Sequence, residues 1–290
     1  MKPKYSVLTL LVTVFFFASC VNPDEPVLSY SGEFRMEQSM ESQILGRGMD
    51  YVLYLPPYYD ARRSYPILYF LSGMGDTPEI WLNEVRKIGL DNLINGGVIQ
   101  PVIIVVPNSG NTFYMNAREE TGEQYEDFFF QELLPHIESL YPIAANKRFI
   151  GGVSMGGYGS LIYGLRHPER FAGCFTLCGS MRTLSDIEEL NQPSYDGRYG
   201  QALSPYPMTE AGAEYYRENY DPESLVQTYT AQMPLWIACG TGDYLYPTNQ
   251  RLHEQMTELN IPHEWRASPG QHSPTWWLPN MKEALIWISN

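Results

Sequence analysis

The chain has few basic residues, few cysteines and no apolar run long enough to span a membrane. Lys and Arg number 19 among 290 residues, against 33 Asp and Glu, so the formal net charge is −14. Such an acidic surface repels phosphate backbones, which argues against nucleic acid as a partner. The four cysteines have no zinc-ligand spacing, and we find no cofactor motif and no internal repeat. We therefore expect neither a metal nor a cofactor.

The N-terminal apolar run, residues 5–18, follows a basic start and is shorter than the roughly 20 residues of a membrane-spanning helix. This layout is typical of a signal peptide. Small residues before Cys20 resemble a bacterial lipoprotein signal, in which Cys20 would be lipidated; the alternative is a plain signal peptide cut near Ser19. We predict a signal over residues 1–20 and a tether over residues 21–33. The protein would then be exported, to the outer membrane, cell surface or periplasm, and would contact the membrane only through the lipid.

The remaining residues, 34–290, alternate short apolar runs with helical patterns. Two strand-like segments come first and are followed by further apolar runs: 34–45, 49–55, 67–71, 102–106, 149–153, 171–178 and 235–239. The helical patterns are 79–95, 125–141, 156–166, 249–259 and 278–288. Short runs rich in Val, Ile and Phe are typical of parallel strands buried on both faces. The alternation predicts an α/β domain, with a mostly parallel central sheet and helices on both faces.

Residues 180–232 interrupt this alternation. They contain no strong strand pattern and are rich in tyrosine and proline. Long insertions in α/β enzymes tend to be lids or binding loops. We expect a lid here; the alternative is an inserted segment with a purely structural role that packs on the edge of the sheet.

Three cysteines lie in the apolar runs of the domain. Cys174 and Cys178 are four residues apart on one predicted strand, which is too far for a disulfide. We expect Cys174, Cys178 and Cys239 to be buried free thiols. A bridge between Cys178 and Cys239, on neighbouring strands, is the alternative.

The strongest chemical signal is Gly152-x-Ser154-x-Gly156, between a predicted strand and a predicted helix. This is the context of a nucleophile elbow, where a serine occupies a sharp strand-to-helix turn. Small neighbours are needed because the backbone is strained and closely approached there. Ser154 is therefore the predicted nucleophile, and the alternative is a simple glycine-rich turn.

A serine hydroxyl needs a base to accept its proton, and in the elbow fold the acid and then the histidine follow the serine in the chain. His272 lies in a loop after the strand-like segment 263–267, and such loops carry the active sites of open parallel sheets. Asp243 comes just past the run 235–239, where it could orient the imidazole; the alternative is an ordinary turn aspartate. His136 and His167 are poorly placed for this role, His253 is expected to be a solvated surface group, and His263 is expected to be structural.

An oxyanion hole would complete the site. Ser72-Gly73-Met74-Gly75 follows the run 67–71. In the elbow fold one donor is the backbone N–H after the serine, here Met155, and the other comes from the loop after an early strand, here Met74. A plain glycine-rich turn is the alternative.

Segments from nearly the whole domain resemble the esterase D and feruloyl esterase group, which includes carbohydrate esterase family 1 and is similar to the mycolyltransferases. The matching positions are 55–60, 65–75, Trp81, 152–159, 167–171, 239–243, 269–272 and Trp277. The resemblance implies an α/β-hydrolase fold, a triad of Ser154, Asp243 and His272, and backbone donors at Met74 and Met155.

Two departures from this group concern specificity. Ser72-Gly73 replaces the His-Gly of many relatives, although a backbone donor needs no particular side chain. The insertion 180–232 is longer than in the compact feruloyl esterases. Because lids shape the pocket, the specificity for the acyl group and for the alcohol is left undetermined.

Our first hypothesis is an exported carboxylesterase that removes feruloyl or acetyl groups from plant polysaccharide. Trp81, Tyr114 and Trp277 are candidates for the substrate pocket, although aromatic residues readily fill cores and packing is the favoured interpretation of each. A second hypothesis keeps the chemistry and changes the substrate to a siderophore ester, a thioester or a xenobiotic ester, or transfers the acyl group to a sugar. A third is a non-catalytic surface binding protein, against which the complete triad argues.

Overall fold

A computed structural model describes residues 30–119, 122–190 and 210–290. The predicted signal, the lipidation at Cys20 and most of the predicted tether lie outside these residues and stay predictions. Within the described ranges, no helix combines the length and the apolar character needed to cross a membrane.

Eight strands of the described residues form one sheet. They are β1 (Glu33–Ser42), β2 (Arg47–Leu55), β3 (Tyr65–Leu71), β4 (Ile103–Pro107), β5 (Ile143–Val153), β6 (Gly173–Leu177), β7 (Leu235–Gly240) and β8 (Glu264–Ser268). Their order across the sheet is β1-β2-β4-β3-β5-β6-β7-β8. β2 runs antiparallel to both of its neighbours, and all pairs from β4 to β8 are parallel. The predicted fold class, α/β with a mostly parallel sheet, is confirmed.

The helices are α1 (Pro78–Lys87), α2 (Leu90–Asn95), α3 (Tyr125–Phe128), α4 (Leu134–Leu140), α5 (Met155–Arg166), α6 (Leu184–Leu190), α7 (Glu210–Asn219), α8 (Pro222–Thr228), α9 (Tyr246–Glu258) and α10 (Pro274–Ser289). A π-helical turn, Phe129–Leu133, joins α3 to α4. Two apolar cores cover the two faces of the sheet. In β3, Tyr69 and Leu71 belong to one core and Leu68 and Phe70 to the other, as the alternation of side chains along a strand requires.

Some element boundaries differ from the prediction. The helical pattern 79–95 is two helices, α1 and α2, separated at Gly89, whose φ of 74° ends a regular helix. β2 is buried on both faces over its last five residues, because the residues between Tyr51, Leu53 and Leu55 pack in the second core. β5 begins six residues before the predicted run, in a stretch whose exposed polar side chains hide a strand pattern.

The described parts of the insertion are helical and pack on α5. Tyr158 of α5 donates a hydrogen bond to the Tyr220 carbonyl at 2.6 Å. The buried carboxylate of Glu126 accepts hydrogen bonds from Arg166 and from the Tyr220 hydroxyl, at 2.9 and 2.6 Å. These contacts attach α7 and α8 to the helix that begins at the elbow. Residues 191–209 lie outside the described part, and the lid stays a prediction.

The three domain cysteines are free and buried, which confirms the prediction. Cys178 lies one residue beyond β6 rather than inside it, so the two thiols Cys174 and Cys178 do not share a strand.

Candidate active site

Ser154 lies at the junction of β5 and α5, where the chain turns sharply. Its φ of 57° and ψ of −118° are strained values for a residue with a side chain. A Cβ on Gly152 would lie 2.4 Å from the Gly156 carbonyl oxygen, and a Cβ on Gly156 would lie 1.9 Å from that of Leu71. Both positions must therefore be glycine, and the turn presents the Ser154 hydroxyl at the carboxyl end of β5.

His272 and Asp243 come to this hydroxyl from two other strand ends. Asp243 follows β7, and His272 lies in the loop between β8 and α10. The Nε2 atom of His272 is 3.1 Å from Ser154 Oγ, and its Nδ1 atom is 2.7 Å from Asp243 Oδ2. Since the Asp243 carboxylate can only accept, Nδ1 carries a proton and Nε2 of the neutral ring is left to accept one from Ser154.

The charges of the pair stabilise each other. Burial alone would raise the pKa of Asp243, but hydrogen bonds from His272, from Cys178 and from the Leu245 backbone N–H hold it below its usual value. Burial alone would lower the pKa of His272, but its hydrogen bond to Asp243 and the negative charge of that carboxylate raise it to about 9. The arrangement therefore favours a positively charged imidazole, the form that follows proton transfer from a serine.

The loop after β3 lies against Ser154. A Cβ on Gly73 would come within 3.6 Å of the Ser154 Cβ atom. The Tyr114 hydroxyl donates to the Ser72 carbonyl at 2.9 Å, and the Gly75 N–H donates to Asn111 Oδ1 at 2.9 Å. The loop that carries Met74 is thus held from both ends beside Ser154, while Met155 is the first residue of α5. The roles of their N–H groups stay predictions.

Comparison with known proteins identifies the family. Residues 42–288 match the family described as "Putative esterase". The chain belongs to this esterase family. Its members include the esterase D and feruloyl esterase group of α/β-hydrolases, so the predicted resemblance is confirmed.

Relatives of this esterase act on acyl esters according to their names. An acetyl esterase of Caldicellulosiruptor saccharolyticus is 27% identical over 239 residues, which are 77% of this chain and 82% of that protein. An endo-1,4-beta-xylanase/feruloyl esterase of Xylanibacter ruminicola is 31% identical over 165 residues, which are 53% of this chain and 23% of that protein. A solved ferulic acid esterase matches with a TM-score of 0.75 at 25% identity, covering 90% of this chain and 98% of its own. The chain is a serine hydrolase of the carboxylesterase type.

The predicted pocket aromatics occupy different places in the esterase. Tyr114 is fully buried and Trp81 is 2% exposed, with its indole N–H donating to Asp76 at 2.8 Å. Both rings therefore pack behind the loop Ser72–Gly75, which agrees with the packing interpretation of these two candidates and not with a place in the substrate pocket. The reason is that the loop needs a core beneath it, which large rings fill. Trp277 is half-buried and meets the His272 ring edge-on at 5.1 Å.

The remaining histidines form other contacts. His253 is half-buried, stacked on Trp265 at 4.8 Å and 2.7 Å from a ring nitrogen of His263. The expectation of a solvated surface group at His253 is therefore wrong, because the facing strand β8 supplies an aromatic ring. The other three bond to residues outside the triad: His136 to Tyr51, His167 to Glu126 and His263 to His253.

Two neighbours of the triad were missed from the sequence. Tyr244 is 66% exposed and its ring lies 4.9 Å from that of His272. Its position directly after Asp243 was a usable signal. The sulfur of Cys178 lies within 4.8 Å of a carboxylate oxygen of Asp243. This contact depends on the pairing of β6 with β7, and nothing local to Cys178 indicates it.

Proposed function

We propose that this esterase hydrolyses acetyl or feruloyl esters carried by plant polysaccharide or its oligosaccharides. The observation that carries the reaction is the pair of contacts, 3.1 and 2.7 Å, that joins Ser154 Oγ through His272 to buried Asp243. The names of the relatives, an acetyl esterase and a xylanase/feruloyl esterase, support the acyl groups and the polysaccharide.

The geometry suits two successive acyl transfers. His272 Nε2 accepts the Ser154 proton while Oγ attacks the acyl carbon, and Asp243 stabilises the resulting imidazolium. The backbone N–H groups of Met74 and Met155 receive the negative charge on the acyl oxygen. His272 then gives its proton to the departing alcohol and takes one from the water that releases the acid. Ser154 returns to its free form.

Tyr244 supports a saccharide as the departing alcohol. The alcohol leaves beside the imidazole that protonates it, and the exposed ring of Tyr244 lies on that imidazole. Exposed tyrosine rings combine an apolar face with a polar tip, which suits the face and hydroxyls of a sugar. Tyr244 would therefore contact the first sugar of the leaving group.

The substrate proposal is tested by four esters: 4-nitrophenyl acetate, methyl ferulate, acetylated xylo-oligosaccharide and feruloylated arabino-oligosaccharide. We expect a higher kcat/KM for a saccharide ester than for the simple ester of the same acid. The exposed Ser139, changed to alanine, is the control for Ser154→Ala. If kcat/KM were tenfold or more higher for the simple esters, the saccharide substrate would be refuted and the esterase chemistry would stand.

Export and lipidation form a second, separate proposal. The basic start, the short apolar run and the small residues before Cys20 support it. Radiolabelled palmitate should enter the full chain expressed in a bacterium and should not enter Cys20→Ala. Equal labelling of both chains, or of neither, would contradict the lipid anchor.

A further inference from the structure

Cys178 lies directly behind the acid of the triad, and no step above uses it. The register of β6 with β7 pairs Leu177 with Ala238, which places Cys178 opposite Cys239. The sulfur atoms of Cys178 and Cys239 and a carboxylate oxygen of Asp243 lie within 4.8 Å of one another, and all three residues are buried. A buried thiol thus lies beside the carboxylate that orients His272.

The backbone at Cys178 is strained. Its φ is 46°, in the region that favours glycine. The strained residue is fixed by its N–H, which donates to the Ala238 carbonyl at 2.7 Å. Such strain at a buried residue with a side chain persists only where the surroundings impose it, and it is concentrated at functional sites. Here its consequence is that the thiol reaches Asp243.

The direction of the thiol's hydrogen bond follows from counting protons. Contact with Cys239 and burial raise the pKa of Cys178 far above the usual range, so it is a neutral thiol with one proton. A carboxylate only accepts, and it is a far better acceptor than a thiol sulfur. In a hydrogen bond between these two groups the Cys178 S–H is therefore the donor and the Asp243 carboxylate the acceptor.

We propose that Cys178 is a positioning residue, whose thiol holds the Asp243 carboxylate in the orientation that aligns His272 with Ser154. Asp243 already accepts from His272 through Oδ2 and from the Leu245 N–H through Oδ1, at 2.7 and 2.8 Å. The Cys178 sulfur lies within 4.8 Å of a carboxylate oxygen, and in this proposal its S–H is the third donor to Asp243. This inference rests on the triad roles of the proposed function.

The test compares variants with and without the donor. Cys178→Ala and Cys178→Gly remove it, and glycine also suits the local φ; Cys178→Ser keeps a donor. Cys174→Ala is the matched control, because Cys174 is a buried thiol inside β6 that donates to the Ser160 carbonyl at 3.2 Å instead of lying beside Asp243. We expect the donor-free variants to lose about tenfold in kcat on 4-nitrophenyl acetate with KM unchanged. Cys178→Ser should recover most of this loss, and Cys174→Ala should keep the wild-type kcat.

A double-mutant cycle separates positioning from general stabilisation. In the Asp243→Asn background, Cys178→Ala should cause no further loss, because the group that it acts through is gone. The same tenfold loss in both backgrounds, a wild-type kcat for Cys178→Ala, or failure of both donor-free variants to fold would overturn the proposal. Ser154→Ala is measured beside them: retained turnover there would instead refute the proposed function.

Discussion

Replacing Gly156 with alanine tests the close packing of the elbow against β3. A Cβ at this position would lie 1.9 Å from the oxygen and 2.3 Å from the carbon of the Leu71 carbonyl, and 2.7 Å from the Ser72 carbonyl oxygen. These are backbone atoms, so no flexible side chain can move aside. Relief requires that α5 and the end of β3 separate by about 1 Å, because non-bonded carbon and oxygen atoms need more than 3 Å.

This separation would affect both stability and catalysis. Overpacking by one methyl group costs about 1–3 kcal/mol of the free energy of unfolding. The same shift moves Ser154 away from the loop that carries Met74, and a displacement of about 1 Å in an active site can cost roughly 100-fold in rate. Urea denaturation and kcat/KM on 4-nitrophenyl acetate measure the two effects.

Gly48→Ala is the matched control. A Cβ on Gly48 would meet only the side-chain oxygen of Glu41, at 3.5 Å. We expect its stability and rate to stay near the wild-type values. If Gly156→Ala unfolded at the wild-type urea concentration and kept the wild-type kcat/KM, the claim that close packing at the elbow requires glycine at position 156 would be refuted.

Three further predictions concern the base, the leaving group and the insertion. The pKa of His272 is raised to about 9. Because the neutral ring is the base, kcat/KM should rise with pH through a midpoint well above 6.5. A midpoint at or below 6.5 in a pH–rate profile would contradict the pairing of His272 with Asp243. Tyr244→Ala should raise KM for feruloylated arabino-oligosaccharide several-fold and leave methyl ferulate unchanged, whereas an equal effect on both esters would exclude a sugar contact. Glu126→Gln should lower the free energy of unfolding, measured by urea denaturation, by about 3 kcal/mol, because it leaves the half-buried Arg166 without its charged partner. A loss under about 0.5 kcal/mol, as at ordinary surface sites, would show that this ion pair does not hold the insertion.

The triad positions could be predicted from the sequence because each lies at the carboxyl end of a strand with a clear apolar pattern. The order of serine, acid and histidine then left few choices, and the structure brings Ser154, Asp243 and His272 within hydrogen-bonding distance. The order of the strands could not be predicted in this way, since apolar runs alone do not say which strands are neighbours.

The failures concern contacts that depend on distant elements. Tyr114 and Trp81 stayed open between pocket and core because aromatic residues suit both, and only their contacts with the loop Ser72–Gly75 and Asp76 separate the two roles. The surface role expected for His253 ignored Trp265, which β8 places against it. The contact of Cys178 with Asp243 requires the pairing of β6 with β7 together with a strained φ, which no local pattern predicts.

The central claim is that Ser154 is the nucleophile. Its most direct test is to label the protein with a fluorophosphonate, which forms a stable adduct with an activated serine, and to locate the adduct by peptide mass spectrometry. We expect one adduct, on the peptide that contains Ser154. Ser154→Ala should not be labelled, and the labelling of His272→Ala should be slower by orders of magnitude. An adduct on another residue, or full ester turnover by Ser154→Ala, would contradict this claim.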